Sequence, residues 1–399
     1  ASREENQNRP GDGKFDNNRI PGTATIAVGR VDMSDLPAFS HSEVELTRNY
    51  LNKVRSFKLS QSSTNGKAII ENNFAGFQEG FSSAAIRDFS AYMGSANVTT
   101  ADLFTATADD DYLFSYVCGA GSYTSCAGVG NTNDFTTKNG AMFNHMFGSY
   151  FGDFDVQNNI LRATIATEKM GLTAVWSGRP KWITHSLAIG ESFGDCALKT
   201  QNNWQDYDAN FFQNSPHIAL VGDPSLRTHY IAPASNITAT PSTEKTSCSV
   251  SWDASLESDI LGYYVYRSHK PNGSFKLVNT QPTTSTTLTD NAPFQGTNYY
   301  MVRAAKKTTT SSGSYINLSL GISTKAEGLI GGTSSIHLTS IKNLTVYPTL
   351  THSTLYVERA SAELLEINIL DQMGRSVKKA TSNSTLTTID VSTLSSGVY

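Results

Sequence analysis

The sequence lacks the features that mark a membrane-spanning or a nucleic-acid-binding protein. No apolar run approaches the roughly 18 residues that a transmembrane helix requires. Basic residues show no excess either, because 31 Lys and Arg stand against 35 Asp and Glu, for a formal net charge of −4. A protein that binds nucleic acid normally has a basic excess or a basic stripe. We therefore expect no transmembrane segment and no nucleic-acid partner.

Cysteine is also scarce. The four cysteines are too few and too scattered to form a disulfide scaffold or a zinc ribbon, and they indicate no particular redox compartment. They are Cys118, Cys126, Cys196 and Cys248.

Neither end of the chain has the pattern of a natural terminus. Residues 1–10 are polar and contain no hydrophobic signal segment, and residues 397–399 stop in the middle of a predicted strand. We expect a processed form or a part of a longer protein, with the N-terminal part of the first domain and the last strand of the last domain missing.

Length and patterning predict several domains. At about 150 residues per domain, 399 residues correspond to two to four domains. Residues 1–231 alternate between helical and strand patterns, which predicts an α/β domain with a mostly parallel sheet. The predicted helices are 42–58, 77–93, 141–147 and 185–198, and the predicted strands are 112–117, 172–176 and 218–221.

After residue 231 the helical patterns stop, and short alternating strands predict two all-β sandwich domains. In the first, residues 232–327, Val250 and Trp252 alternate with Ser251, and residues 300–304 complete a pattern that resembles a fibronectin type III or related immunoglobulin-like module. Residues 328–340 have the glycine and serine content of a flexible linker.

Residues 341–399 form the second all-β domain, and three blocks in this tail carry a resemblance. They are residues 343–348, 369–375 and 389–399. Together they resemble the C-terminal sorting domain of type IX secretion cargo, although Thr349 and Leu350 stand where such tails usually continue with Asn-Pro. The resemblance implies recognition by the type IX secretion machinery and a location in the medium or on the exterior of the outer membrane.

Four segments of the α/β domain carry a second resemblance, which covers about residues 20–231. In chain order they are residues 118–122, 148–155, 176–179 and 222–227. They resemble the caspase-like catalytic domain of the gingipain family of cysteine peptidases. The resemblance implies a caspase-like α/β fold with its active site at the carboxyl ends of the strands, the edge where open α/β sheets hold their ligands.

The catalytic residues of that family are absent from the matching positions. The resemblance implies a histidine between two glycines and a cysteine that opens a turn after the next strand. Here Ala120 stands between the glycines, and Ser149 opens the turn. Because a catalytic thiol needs a neighbouring base, the substitutions predict a catalytically silent domain. The alternative is a displaced dyad, in which Cys118 would be the nucleophile and His145 or His185 the base.

Metal binding is predicted at one place only. Asp12 and Asp16 lie in an oxygen-rich run, residues 12–18, that has the ligand density of a calcium loop but not the spacing of an EF-hand. They are candidate calcium ligands, and a solvated turn is the alternative. No other cofactor is predicted.

Three functions remain open from the sequence. The first is an exported surface protein whose inactive peptidase-like domain serves binding, adhesion or assembly, with a surface protein, a peptide or a glycan as ligand. The second is an active secreted cysteine endopeptidase with a displaced dyad. The third is a structural array component in which Tyr150, Trp176 and Trp182 fill the cleft.

Overall fold

The computed structural model describes residues 20, 22–77, 80–177, 182–203, 218–330, 344–348, 351, 353–362, 364–370 and 376–394. The chain divides into two compact units, Ala1–Gly332 and Thr333–Tyr399. Each unit is described by itself.

The first part of unit one is built on a six-stranded sheet. Its strands and those of a small separate hairpin, in chain order, are β1 (Ala68–Asn72), β2 (Val98–Thr100), β3 (Phe114–Cys118), β4 (Ser125–Cys126), β5 (Gly130–Asn131), β6 (Phe143–Phe147), β7 (Thr173–Trp176) and β8 (Ala219–Gly222). The sheet order is β2-β1-β3-β6-β7-β8, and β4 pairs only with β5. All neighbours are parallel except β7 and β8, which are antiparallel. The sheet is therefore mixed and mostly parallel, as the alternating pattern predicts.

Helices cover both faces of this sheet. They are α1 (Glu43–Lys58), α2 (Ser83–Met93), α3 (Leu103–Asp109), α4 (Ile160–Ala166) and α5 (Phe193–Asn202). Phe89 of α2 stacks on Phe114 of β3, with the ring centroids 4.7 Å apart. On the other face, the Thr164 hydroxyl of α4 donates to Met146 Sδ of β6. A core closed on both sides explains why all of β3 and the first four residues of β6 are buried on both faces.

Two segments fold differently from the prediction. Residues 141–147, predicted as a helix, contain the strand β6, because each residue from Phe143 to Met146 pairs with both β3 and β7. A short strand buried on both faces has no alternation and cannot be distinguished from a helix by periodicity. The helix predicted at 185–198 is divided at Gly190, whose φ is 88°, into a 3-10 turn (His185–Ile189) and α5.

A β-sandwich completes unit one. Its strands are β9 (Ser235–Pro241), β10 (Cys248–Asp253), β11 (Ile260–Ser268), β12 (Lys276–Leu277), β13 (Thr287–Asp290), β14 (Gly296–Thr310), β15 (Gly313–Leu318) and β16 (Ile322–Leu329). One sheet has the order β13-β10-β9 and the other the order β12-β11-β14-β15, with β16 also paired to β14. Trp252 and Tyr263 meet edge-on in the core between them.

The long hairpin of β14 and β15 joins the sandwich to the α/β part. At its tip, the Ser312 hydroxyl donates to Ala91 O at 2.6 Å. Farther along β15, the Arg227 guanidinium donates to Asn317 Oδ1 at 3.0 Å and to Leu318 O at 2.8 Å. Hydrogen bonds to a charged donor are stronger than neutral ones, so Arg227 is a principal tie between the two parts.

Unit two is all β in its described residues. Its strands are β17 (Thr345–Tyr347), β18 (Thr354–Glu358), β19 (Leu365–Leu370), β20 (Ser376–Ser382) and β21 (Leu386–Asp390). They form a three-stranded sheet, β17-β18-β21, and a hairpin of β19 and β20. Across both units, none of the helices in the described ranges combines the length and the apolar character needed to cross a membrane.

A single lysine ties α1 to the end of α4. The Lys53 ammonium lies within hydrogen-bond distance of four carbonyl oxygens, those of Ile165 (3.0 Å), Thr167 (2.6 Å), Met170 (2.6 Å) and Gly171 (3.4 Å). The last carbonyls of a helix have no partners within it, and a cation near them also interacts favourably with the helix dipole. Lys53 therefore satisfies the carboxyl end of α4 and fixes it against α1.

Replacing this lysine should destabilise unit one. Lys53→Met keeps the aliphatic stem but removes the charged donor, so buried carbonyls are left unpaired. We expect the free energy of unfolding to fall by about 1–3 kcal/mol in urea denaturation. Lys169→Met, at an exposed position on the same loop, is the matched control and should change it by less than about 0.5 kcal/mol. Equal effects of the two substitutions would contradict this role for Lys53.

Candidate functional site

The two loops singled out by the gingipain resemblance lie side by side. They follow β3 and β6, which are neighbouring parallel strands with Cys118 directly opposite Phe147. Beyond the last pair, Gly119 N still donates to Phe147 O at 3.2 Å. Because parallel strands end at the same edge of a sheet, both loops leave at the carboxyl edge, where α/β proteins hold their ligands.

Ala120 and Ser149 are brought together at this edge, and both are exposed. The contact between their loops is so close that Gly121 is required there. A Cβ on Gly121 would lie 2.3 Å from Ser149 O and 2.4 Å from Ser149 N, which no side chain tolerates. Gly121, which follows Ala120, thus lets the backbones of the two loops touch.

Side-chain hydrogen bonds to its carbonyl oxygens fix the loop that follows β6. The Trp176 indole Nε1 donates to Gly148 O at 2.8 Å. The Asn159 amide donates to Phe151 O at 2.8 Å and to Asp153 O at 3.2 Å, and the same side chain caps α4 through its oxygen. Buried polar groups satisfied in this way make a loop rigid.

Tyr150 follows Ser149 in a strained conformation. Its φ is 71°, a region that residues other than glycine seldom adopt. The side chain is 47% exposed and lies 5.2 Å, centroid to centroid, from the ring of Tyr123. Strain of this kind persists where the surroundings enforce it, and it clusters at functional sites. Of the three residues predicted to fill the cleft of a structural array component, Tyr150 is exposed and Trp182 is buried, so that alternative stays a prediction.

Cys118, the alternative nucleophile, lies at the end of β3 and is fully buried. Its thiol donates to Asn72 Oδ1 at 3.0 Å. Burial raises the pKa of the Cys118 thiol, so the group stays protonated at neutral pH. A protonated buried thiol is not a nucleophile.

His145 lies in the middle of β6, opposite Tyr116 of β3. Its ring packs edge-on against Phe89 and Phe114, with centroid distances of 5.0 and 6.1 Å. Burial lowers the pKa of His145 to about 3, which keeps the imidazole neutral. The side chain is part of the core, whereas the two loop positions are at the surface.

His185 begins the 3-10 turn before α5 and packs towards α2. Its Nδ1 lies 4.0 Å from Asp88 Oδ1, and burial lowers the pKa of this histidine. Within the part of the chain that the structure describes, the acceptor of the Cys118 thiol is Asn72 Oδ1 and not a histidine nitrogen. A proton relay requires a hydrogen bond from the thiol to a histidine nitrogen.

The candidate calcium ligands, Asp12 and Asp16, lie outside the described residues. Within the described ranges, no three His, Cys, Asp or Glu side chains are grouped closely enough to hold a metal ion.

Trp176, predicted to fill the cleft, holds the loop after β6 through a hydrogen bond to Gly148 O. Asn159, which holds the same loop, and the helix α4, which begins after it, are not among the predicted features. The sequence does contain a signal for the start of α4, because an asparagine directly before an apolar run is a helix N-cap pattern.

Comparison with known proteins identifies the C-terminal part of the chain. Residues 345–399 match the family model described as "Secretion system C-terminal sorting domain". This confirms the type IX sorting domain predicted at the end of the chain and implies interaction with the secretion machinery. A search of the curated proteins finds no match.

Several solved structures of fibronectin type III domains are similar to part of the chain. An Fn3-like protein from Clostridium thermocellum is 27% identical and has a TM-score of 0.18, with 22% of this chain and 91% of that chain covered. The FN5 domain of Drosophila Lar is 22% identical (TM-score 0.17; 24% and 95% covered). A two-domain fibronectin type III segment from chicken tenascin is 15% identical (TM-score 0.18; 40% and 82% covered). With its sorting domain, the chain is a secreted or cell-surface protein.

Proposed function

We propose that residues 20–231 form a caspase-like domain of the gingipain type that does not hydrolyse peptides. The exported protein uses this domain for binding, adhesion or assembly at the cell surface. One observation carries the proposal. The two loops where the resemblance expects a histidine and a cysteine touch each other at the carboxyl ends of adjacent parallel strands, and they present Ala120 and Ser149 instead.

The chemistry of these two side chains supports inactivity. A methyl group cannot accept or donate a proton, so Ala120 offers no general base. The Ser149 hydroxyl has no imidazole hydrogen-bonded to it within the described residues, and a serine without a base is a weak nucleophile. Loss of such a pair typically costs several orders of magnitude in rate.

The alternative, an active endopeptidase with a displaced dyad, gains little support. Its nucleophile would be Cys118, which is buried, protonated and hydrogen-bonded to Asn72. Of the candidate bases, His145 packs in the core against Phe89, and His185 Nδ1 lies 4.0 Å from Asp88 Oδ1.

Exposed aromatic side chains at the carboxyl edge of the sheet support a binding role. Tyr150 and Tyr123 present a pair of exposed aromatic rings beside Ser149. Their loops are held by buried hydrogen bonds, so little conformational entropy is lost when a ligand is bound. Tyrosine combines a large apolar face with a hydroxyl, a combination suited to a peptide, a glycan or the surface of another protein.

Introducing a histidine at position 120 and a cysteine at position 149 tests two parts of the proposal. It tests whether the two loops have the geometry of a catalytic dyad and whether the wild-type protein is inactive. We expect wild-type protein to show no hydrolysis of a panel of peptides that present basic, acidic and apolar residues. The double variant Ala120→His/Ser149→Cys should gain a thiol that iodoacetamide modifies at least tenfold faster at pH 7 than the thiol of Ser149→Cys alone, because a neighbouring imidazole favours the thiolate.

The single variant Ser149→Cys is the matched control, since it adds the same exposed thiol without a base. Equal alkylation rates of the two variants would contradict the proposed juxtaposition. Peptide hydrolysis by the wild-type protein that disappears in Cys118→Ala would instead establish the displaced dyad.

The buried position of His145 has a consequence for stability. The pKa in the folded protein, about 3, lies below the ordinary value of 6.5. Between these two values the unfolded chain binds a proton that the folded protein does not, so stability falls as the pH decreases from 6.5 to 3. We expect His145→Gln to reduce this loss by about 1.4 kcal/mol per pH unit within the window.

The measurement is the urea midpoint at pH 4, 5 and 7 for both proteins. His41→Gln, at an exposed position, is the control and should keep the wild-type dependence. If the wild type and His145→Gln lose stability in parallel, His145 is charged in the folded state and the core assignment is wrong.

Export across the outer membrane should require the sorting domain. Deletion of Thr333–Tyr399 removes the matched residues and leaves the unit Ala1–Gly332 complete. In a bacterium with a type IX system, we expect the truncated protein to remain inside the cell envelope, as followed by immunoblotting of cell and medium fractions. Deletion of residues 333–343 alone is the control and should permit export. Normal export of the truncated protein would contradict the prediction.

A further inference from the structure

A small cavity lies beneath the first turn of α2, between that helix and the centre of the sheet. Its volume is about 10 Å³. Ala84 and Ala85 of α2 form one side, and Tyr116 of β3 with His145 of β6 form the floor. Ser177 and Trp182, from the segment after β7, close it.

Four buried polar atoms belong to residues that line this cavity and make no hydrogen bond of good geometry within the described part of the chain. They are Tyr116 Oη, His145 Nε2, Ser177 Oγ and Trp182 Nε1. The Tyr116 side chain also interacts with the Cys118 thiol. Each of these residues is at most 4% exposed. Native proteins leave only a few buried polar groups unpaired per 100 residues, because each is costly. Four such atoms around one cavity therefore require an explanation.

We propose that one buried water molecule occupies this cavity and bridges the four side chains. The volume corresponds to a single water molecule, and a buried water needs two to four polar partners. Both conditions are met here, whereas an organic ligand would not fit.

The chemistry of the partners determines how the water is oriented. The indole of Trp182 can only donate, so the water oxygen accepts from Nε1. The hydroxyls of Tyr116 and Ser177 can act either way. His145 is neutral, and its Nε2 is an acceptor when the proton is on Nδ1. The water donates to His145 Nε2 when the proton is on Nδ1 and accepts from it when the proton is on Nε2.

The water has a structural consequence that is separate from the proposed binding role. Ser177 and Trp182 lie in the segment that follows β7, while His145 and Tyr116 belong to the two central strands. The water thus connects Ser177 and Trp182 by hydrogen bonds to His145 and Tyr116 in the core of the sheet. The position of Trp182, which seals the cavity, then depends on a hydrogen bond that no direct protein contact supplies.

A high-resolution crystal structure of the full chain tests the proposal directly. We expect one spherical density peak within 3.2 Å of at least three of the four atoms. An empty cavity would overturn the proposal. A crystal soaked in sodium bromide distinguishes water from an anion, because an anomalous peak in the cavity would identify an anion site and would also overturn it.

The variant Ser177→Ala tests the same point in solution. If the cavity is dry, it removes an unpaired buried polar atom, and the protein should be as stable as the wild type or more so. If water is bound, the variant loses a hydrogen bond, and the folding equilibrium constant should fall roughly fivefold. Unchanged or higher stability of Ser177→Ala would contradict the proposal.

Ser90→Ala is the matched control. Ser90 Oγ, on the same helix α2, is also buried without a partner, but Ser90 does not line the cavity. This variant should not lose stability. If Ser177→Ala and Ser90→Ala lose stability equally, the effect does not come from the cavity, and the bridging water is rejected.

Discussion

The parallel pairing of β3 with β6 is the constraint on which the site depends. The register places Cys118 opposite Phe147, so the residues that follow them leave the sheet at the same level. A shift of one residue would reverse which side chains face the helices on each side of the sheet. The close contact of Gly121 with Ser149 then follows from the pairing, because both loops turn within a few ångströms of each other.

Burial explains why reactive residue types are present without being reactive. Cys118 and His145 have their side chains on the same face of the sheet, where α2 and its aromatic residues shield them from bulk solvent. Burial disfavours a thiolate and an imidazolium alike, and it leaves both groups neutral. From the sequence, a cysteine near a histidine suggests nucleophilic catalysis, whereas their depth in the fold gives them a packing role.

Features that depend on residues close together in the chain could be predicted from the sequence. Features that depend on contacts between distant residues could not. The sorting domain was predictable because its blocks are local and ordered, and the mostly parallel sheet because helices and strands alternate. The strand β6 was mistaken for a helix because a strand covered on both faces has no polar alternation. The position of Ala120 beside Ser149 could be inferred from motifs, but the contacts of Trp176 and Asn159 with the loop depend on residues distant in the chain.

The strained backbone at Tyr150 separates two accounts of a domain without its catalytic pair. A non-glycine residue at positive φ costs on the order of 1–3 kcal/mol, which must be offset by the surrounding contacts. Here these contacts are present, in the bonds that Trp176 and Asn159 make to the loop. If the loop served stability alone, a relaxed turn would serve better. Under the proposed function, a loop that is strained, rigid and exposed is explained as a surface that keeps one shape for a ligand.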